Sequence, residues 1–241
     1  MKLNVFSTLT AAAFMAGTAL ADSFAWERLE LNNSILVVVD IQEGLYNLAR
    51  DFDPTVFVHN TFAHASIGKA FNLPVVLTTS TETGPNGPLP QEILDLYPDA
   101  PLIKRPGEIN AWDNAEFREA IISLNRTQII LAGIVTDVCT AFLARSLRAA
   151  GYSVWANIEA SGTTSTLIRD IANAQMLRAG VNVVSFFDIV GELMRDWRAP
   201  VAKNLLPWLD TYMPAVGMTA RAHRAAIEKG ALIPGEDKLP S

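Results

Sequence analysis

The chain contains one cysteine, Cys139, so it can form no internal disulfide. It has three histidines, His59, His64 and His223. The first two stand five apart on a predicted helix, a spacing that does not put them on one face. No G-x-G-x-x-G follows the first predicted strand, which removes support for a dinucleotide site. Only 18% of residues are charged, and acids outnumber bases for a formal net charge of -6. That balance argues against a nucleic-acid partner, and there is no polybasic patch for a membrane surface. No internal repeat or low-complexity tract is present. What the 241 residues do have is apolar content: half are hydrophobic, enough for one sizeable core, or for a domain with an arm.

The first residues read as a secretory leader. Met1-Lys2 give a short positive start, Leu3 to Gly17 is mostly apolar or small, and Ala19-Leu20-Ala21 fits the A-x-A cleavage rule. The apolar run is shorter than the ~20 residues of a membrane span. A buried N-terminal helix is the alternative reading. Residues 1–21 are therefore expected to be removed, which places the mature protein in the periplasm or outside the cell. There a lone cysteine is worth attention as a reactive thiol.

Six apolar runs alternate with helical patterns. The predicted strands are Ser34–Val39, Leu73–Thr79, Leu102-Ile103, Gln128–Ala132, Tyr152–Ile158 and Val181–Phe187. Asp53-Pro54 predicts an N-cap followed by proline at the first helical position, with Ala63, Ile67, Ala70 and Phe71 on the inward face. Asn114 is placed to cap a helix carrying Phe117, Ala120, Ile121 and Leu124. A helix from about Val138 to Ala150 points Leu143, Leu147 and Ala150 inward and stops at Gly151. Another ends at Gly180 and faces Ile168, Ile171, Ala172 and Ala179 to the core. A last short one carries Ile189, Leu193 and Trp197. Crossovers of this length predict a three-layer α/β/α fold around a six-stranded, mostly parallel sheet, Rossmann-like in outline. From Pro200 the composition changes to a proline-punctuated segment holding Trp208, Tyr212 and Met213. Residues 22–199 then form the domain and 200–241 a C-terminal arm or helical extension, packed on a neighbouring subunit or on its own domain.

Ligand sites in open α/β sheets form outside the carboxyl ends of the strands. Asp40 follows the first strand, Lys104-Arg105 the third, and Cys139 the fourth. A carboxylate can take a thiol proton, and a cation beside them favours both charged forms. The amide end of a helix would further favour thiolate. Taken singly, Asp40 could cap a turn, Lys104 and Arg105 could be surface ion-pair partners, and Cys139 could be an inert core thiol. Their coincidence at three strand ends points to a nucleophilic site.

The stretch G133-I-V-T-D-V-C139, with Asp40 and Gln42 in V-V-D-I-Q, resembles the signature of the isochorismatase-like cysteine hydrolases, a superfamily that includes nicotinamidases, N-carbamoyl amidases and isochorismatases. T78-T-S-T-E-T-G-P-N-G-P88, R105-P-G-E-I-N-A-W-D-N114, A160-S-G-T163 and E192-L-M-R-D-W-R198 are similar to its YcaC-type branch. The resemblance runs from about Ser34 to Trp208.

That resemblance implies the isochorismatase-like fold and a triad of Asp40 as base, Arg105 as the basic member and Cys139 as nucleophile, with Lys104 one residue early. It implies a cis peptide at Ile134–Val135 and an oxyanion hole of the Val135 and Cys139 amides. The substrate neighbours it suggests are Gln42, Glu82, Asn110, Trp112 and Thr136. Trp112 and Phe142 would be aromatic walls, with core packing the alternative for Phe142. The aspartate-histidine metal motif of nicotinamidases has no counterpart, so no metal and no cofactor is expected. The implied activity is hydrolysis of a small amide or related acyl compound through a thioester. Isochorismatase-type vinyl-ether hydrolysis, or a non-catalytic exported binding protein on the same fold, are the alternatives. A homo-oligomer is expected.

Overall fold

In the computed structural model the described residues are 26–240, so the expected leader at residues 1–21 lies outside them. Six strands form one sheet: β1 (Ser34–Val39), β2 (Val75–Ser80), β3 (Leu102–Arg105), β4 (Gln128–Gly133), β5 (Ser153–Asn157) and β6 (Asn182–Val184). Their order is β3-β2-β1-β4-β5-β6, and every pairing is parallel. The sheet reverses its winding between β1 and β4, whose register ends with Val39 opposite Gly133. That reversal is where an open parallel sheet leaves a crevice.

The central strands are apolar along their whole length because both faces are covered. Ile35, Val37 and Val39 of β1 join a core with Phe117, Ile121, Leu143 and Leu147. Leu36 and Val38 join the opposite core with Phe57, Ala63, Ile67 and Ile189. The helices are thus α3 (Ala115–Ser123) and α4 (Ala141–Ala149) on one side, and α1 (Pro54–Phe71) and α6 (Phe186–Met194) on the other. A short α2 (Gln91–Leu96) follows β2, and α5 (Thr166–Arg178) follows β5. The start signals work as expected: Asp53 accepts from the amides of Thr55 and Val56, and Asn114 from that of Phe117. Gly151, at φ 93°, follows α4 in a conformation that suits glycine.

Several boundaries differ from the sequence reading. β3 runs on through Lys104 and Arg105, paired with Thr79 and Ser80, instead of ending at Ile103. β6 is only three residues long, because the Ser185 hydroxyl caps the Asp188 amide and turns Phe186 and Phe187 into the first turn of α6. Trp197 falls beyond that helix. Ala150, Ile171 and Ala179 are exposed, and the inward face of α5 is Ala172 and Met176.

The last segment forms α7 (Pro200–Tyr212) and α8 (Pro214–Glu228). Of the two packings left open for the arm, α7 takes the one on its own domain. Ala202, Leu205, Trp208 and Leu209 are buried, the Trp208 indole donates to Ser66 Oγ at 2.7 Å, and its ring meets Phe186 edge-on.

Candidate active site

The close approach of β1 and β4 builds the site. A Cβ on Gly133 would lie 1.9 Å from the Val39 carbonyl oxygen, so only glycine lets the two strand ends come so near. Asp40 leaves β1 with φ 51°, which turns its buried carboxylate back over the sheet. From β4 the chain passes the Ile134–Val135 peptide, which is cis as the resemblance implied. It then enters a π-helical turn, Thr136–Thr140, and only afterwards α4. Cys139 therefore sits in a wide turn ahead of the α-helix, not on its first residue.

Arg105 reaches the same point from β3. It is 1% exposed and is one of the largest fully buried side chains. Its Nη2 donates to Asp40 Oδ2, its Nε to Thr78 Oγ1 at 2.9 Å, and its Nη1 to the carbonyls of Glu108 and Ile109. Four acceptors fix the guanidinium, so its charge is held at one position against one carboxylate. Asp40 Oδ1 is buried without an N–H or O–H donor among the described residues. Beside Arg105, the other side chain that acts on this carboxylate is Cys139.

Alternation along β3 decides between the two basic residues. Lys104 points to the other face, largely exposed, and pairs with Glu82 at 2.8 Å. Asp40, Arg105 and Cys139 are thus brought together and Lys104 is not.

The electrostatics invert one expectation. Burial pushes the Cys139 thiol up to about 12; the Asp40 charge and the thiol's hydrogen bond to it push the same way, while Arg105 and the Val135 amide oppose them. Burial likewise raises the Asp40 carboxyl, against the pull of Arg105. Helix-end stabilisation of a thiolate is outweighed, because two anions cannot share a dry site. Both shifts run toward the protonated forms, so the thiol rests neutral. Cys139 is nevertheless only partly buried.

The other predicted neighbours divide. Thr136 lies in the turn, 1% exposed, its amide held by Gly162 O and its buried hydroxyl without a partner among the described residues. The Val135 N–H lies against the sulfur. Gln42 is buried, but its amide is consumed by structure: Oε1 accepts from the Ser80 amide, and Nε2 donates to the carbonyls of Ser80 and Gly87. It braces the end of β2 and does not present a free group to a substrate. Both oxygens of Glu82 are occupied, by Thr79 and Lys104, on the face opposite Arg105.

Asn110 is likewise occupied, capping Trp112 and donating to Ser146 in α4. Trp112 packs edge-on against Tyr152, just before β5, at the end of the sheet away from Asp40. Phe142 is exposed beneath Arg145, so it is not core.

A hydrogen-bonded clasp that the sequence reading left without a role holds the cysteine turn. Thr163 Oγ1 donates to Asp137 Oδ1 at 2.6 Å, and its amide to Asp51 Oδ1 at 2.8 Å. The Thr163 carbonyl accepts from the amides of Arg50 and Asp51. The block A160-S-G-T163 was the available signal, but its partners are remote in sequence. Among the described residues no group of three or more His, Cys, Asp or Glu is arranged to hold a metal. His64 bonds Val37 O and approaches Asn157, and His59 bonds Tyr212 O.

Residues 34–186 match the isochorismatase domain family. The chain belongs to that family. Within it, the sequence is 45% identical to YcaC of Escherichia coli (strain K12) over 171 residues, covering 71% of this chain and 82% of that protein. The solved structure of YcaC from Pseudomonas aeruginosa, with hexane-2,5-diol and covalent acrylamide, superposes with a TM-score of 0.80 at 43% identity. It is covered over 98% of its length by 83% of this chain. The crystal structure of the E. coli YcaC gene product, described as an octameric hydrolase of unknown specificity, gives 0.80 at 41% identity with the same coverage. The family hit and these superpositions account for the six-stranded α/β/α architecture.

Proposed function

We propose that this member of the isochorismatase family is a hydrolase that cleaves a small amide or related acyl compound through Cys139. The observation that carries the reading is the buried Asp40–Arg105 ion pair with the Cys139 side chain beside its carboxylate. In that arrangement Asp40 takes the thiol proton as the sulfur attacks the carbonyl carbon, so charge passes from Asp40 toward the substrate oxygen and no free thiolate is needed. The Val135 and Cys139 amides hold the oxyanion. Asp40 returns the proton to the leaving amine, and a thioester remains. Water then attacks the thioester, giving its proton to Asp40. The sulfur leaves, takes that proton back as a thiol, and the acid departs. Arg105 cannot give up its proton, so it contributes a fixed charge throughout.

The covalent acrylamide of the P. aeruginosa relative supports a reactive group in that protein, and by similarity here. A panel of amides and carbamoyl compounds, with peptide mass mapping of adducts, tests the reading. Turnover should vanish in Cys139→Ala; turnover unchanged in that variant rules out the covalent route. Vinyl-ether hydrolysis need not use a cysteine, so activity on such substrates that survives Cys139→Ala would favour that second reading.

The octameric E. coli relative supports a homo-oligomer for this chain too. The first 21 residues support export, which N-terminal sequencing of the exported protein would test by finding Asp22 first. Among the described residues no helix is long and apolar enough to cross a membrane.

A further inference from the structure

The block Ala160–Thr163 lies between the cysteine turn and the loop that leads into α1. On one side, Gly162 O holds the Thr136 amide at 3.0 Å and Thr163 Oγ1 donates to Asp137 Oδ1. On the other, the Thr163 carbonyl accepts from the Arg50 amide at 2.7 Å and the Asp51 amide at 3.2 Å. Gly162 is pressed against that loop: a Cβ there would lie 2.6 Å from the Ala49 Cβ and 2.7 Å from the Phe57 ring. The loop is itself anchored, since Asp53 caps α1.

Asp51 adds a side-chain bond to this block. Its Oδ1 accepts from the Thr163 amide at 2.8 Å, so the loop grips Thr163 at amide and carbonyl alike. Thr163 thereby joins two carboxyl groups, Asp51 at its amide and Asp137, two residues before Cys139, at its hydroxyl. Asp51 Oδ2 is buried without a donor among the described residues, which favours the uncharged carboxyl. Burial raises this carboxyl and the Asp137 charge adds to the rise, against the Thr163 amide and Arg169. What Thr163 takes from Asp51 is one acceptor at Oδ1, which the oxygen of a neutral amide can replace.

We propose that Asp51 is a positioning residue for Cys139: it fixes Thr163, and Thr163 fixes the cysteine turn through Asp137. This role rests on Cys139 being the reacting group of the proposed hydrolase. A neutral thiol must hand its proton to Asp40 as it reacts, so a turn held loosely reacts more slowly.

The test is the rate at which iodoacetamide alkylates Cys139, the single cysteine, in the full chain, set beside urea unfolding. Asp51→Ala should slow alkylation about fivefold, the factor for one net hydrogen bond, and Asp51→Asn should keep the wild-type rate. In a Thr163→Val background the link to Asp137 is already cut, so adding Asp51→Ala should change the rate by less than about twofold. A purely structural role would not produce that dependence on Thr163. Alkylation as fast in Asp51→Ala as in the wild type overturns the proposal. So does a rate in Asp51→Asn as low as in Asp51→Ala, or an undiminished effect in the Thr163→Val background. If Asp51→Ala fails to fold by circular dichroism, Asp51→Glu, which moves the acceptor by one methylene, takes its place with the same outcomes. Alkylation needs no substrate, so the two readings fail separately. Turnover that survives Cys139→Ala would sink covalent hydrolysis and leave these rates as they are, whereas equal rates would sink the role of Asp51 alone.

Discussion

At the scale of single residues, the site depends on where one proton resides. Because the Asp40 charge helps raise the Cys139 thiol to about 12, Asp40→Asn should let that thiol ionise at a lower pH even as turnover falls by about a hundredfold or more. Thiolate ultraviolet absorbance followed against pH checks the first part; a midpoint that stays put or rises contradicts it. The sign for activity follows from the raised Asp40 carboxyl. The base is competent only when ionised, so turnover should climb as pH rises through a midpoint above the ordinary aspartate value of 3.8, with no decline caused by Cys139 in the neutral range. Arg105→Ala would strand a buried carboxylate and should cost about 3–5 kcal/mol of stability, read from urea unfolding.

The residues that carry the chemistry were legible because strand ends mark the crevice in an open α/β sheet, and because Arg105 and Lys104 must point to opposite faces of one strand. Gln42, Glu82, Asn110 and Trp112 have structural partners that the sequence did not display, for a common reason. Their partners, Ser80 and Gly87, Lys104, Ser146 and Tyr152, are set by packing between elements, which a motif does not display.

At the scale of elements, the strand ends and the cysteine turn are fastened by contacts that can be cut one at a time. Gly133→Ala forces a Cβ into the Val39 carbonyl and should cost about 1–3 kcal/mol, with loss of Cys139 labelling out of proportion to the loss of stability. Thr163→Val removes the bond to Asp137, while Thr163→Ser keeps a hydroxyl there. Labelling of Cys139 should slow in the first and recover in the second, and equal rates would show that the clasp does not position the turn. Apolar runs and caps revealed most of the elements in advance. The π turn was hidden, since nothing in T136-D-V-C-T140 distinguishes it from an ordinary first helical turn. The short β6 was hidden too, since V181-N-V-V-S-F-F187 is apolar enough for a strand until Ser185 caps a helix within it.

For the whole molecule, the winding reversal between β1 and β4 explains why Asp40 and Cys139, far apart in sequence, share a crevice to which β3 delivers Arg105. The sequence showed this architecture through its alternation but left the docking of the extension open, because Trp208 could equally have served a neighbouring subunit. Leu167 and Ile171 on α5 remain 67% and 48% exposed, a candidate contact between copies. Mass-calibrated sizing should find an assembly, and a double change of these two residues to aspartate should shrink it.

The most direct test of the central claim is acyl transfer to the sulfur itself. The full chain is mixed with p-nitrophenyl acetate, quenched in acid, and mapped by peptide mass. One acetyl group should appear on Cys139, formed with a burst of nitrophenolate, absent in Cys139→Ala and slowed in Asp40→Asn. An unmodified Cys139 alongside full ester turnover, or acylation as fast in Asp40→Asn as in the wild type, would contradict it.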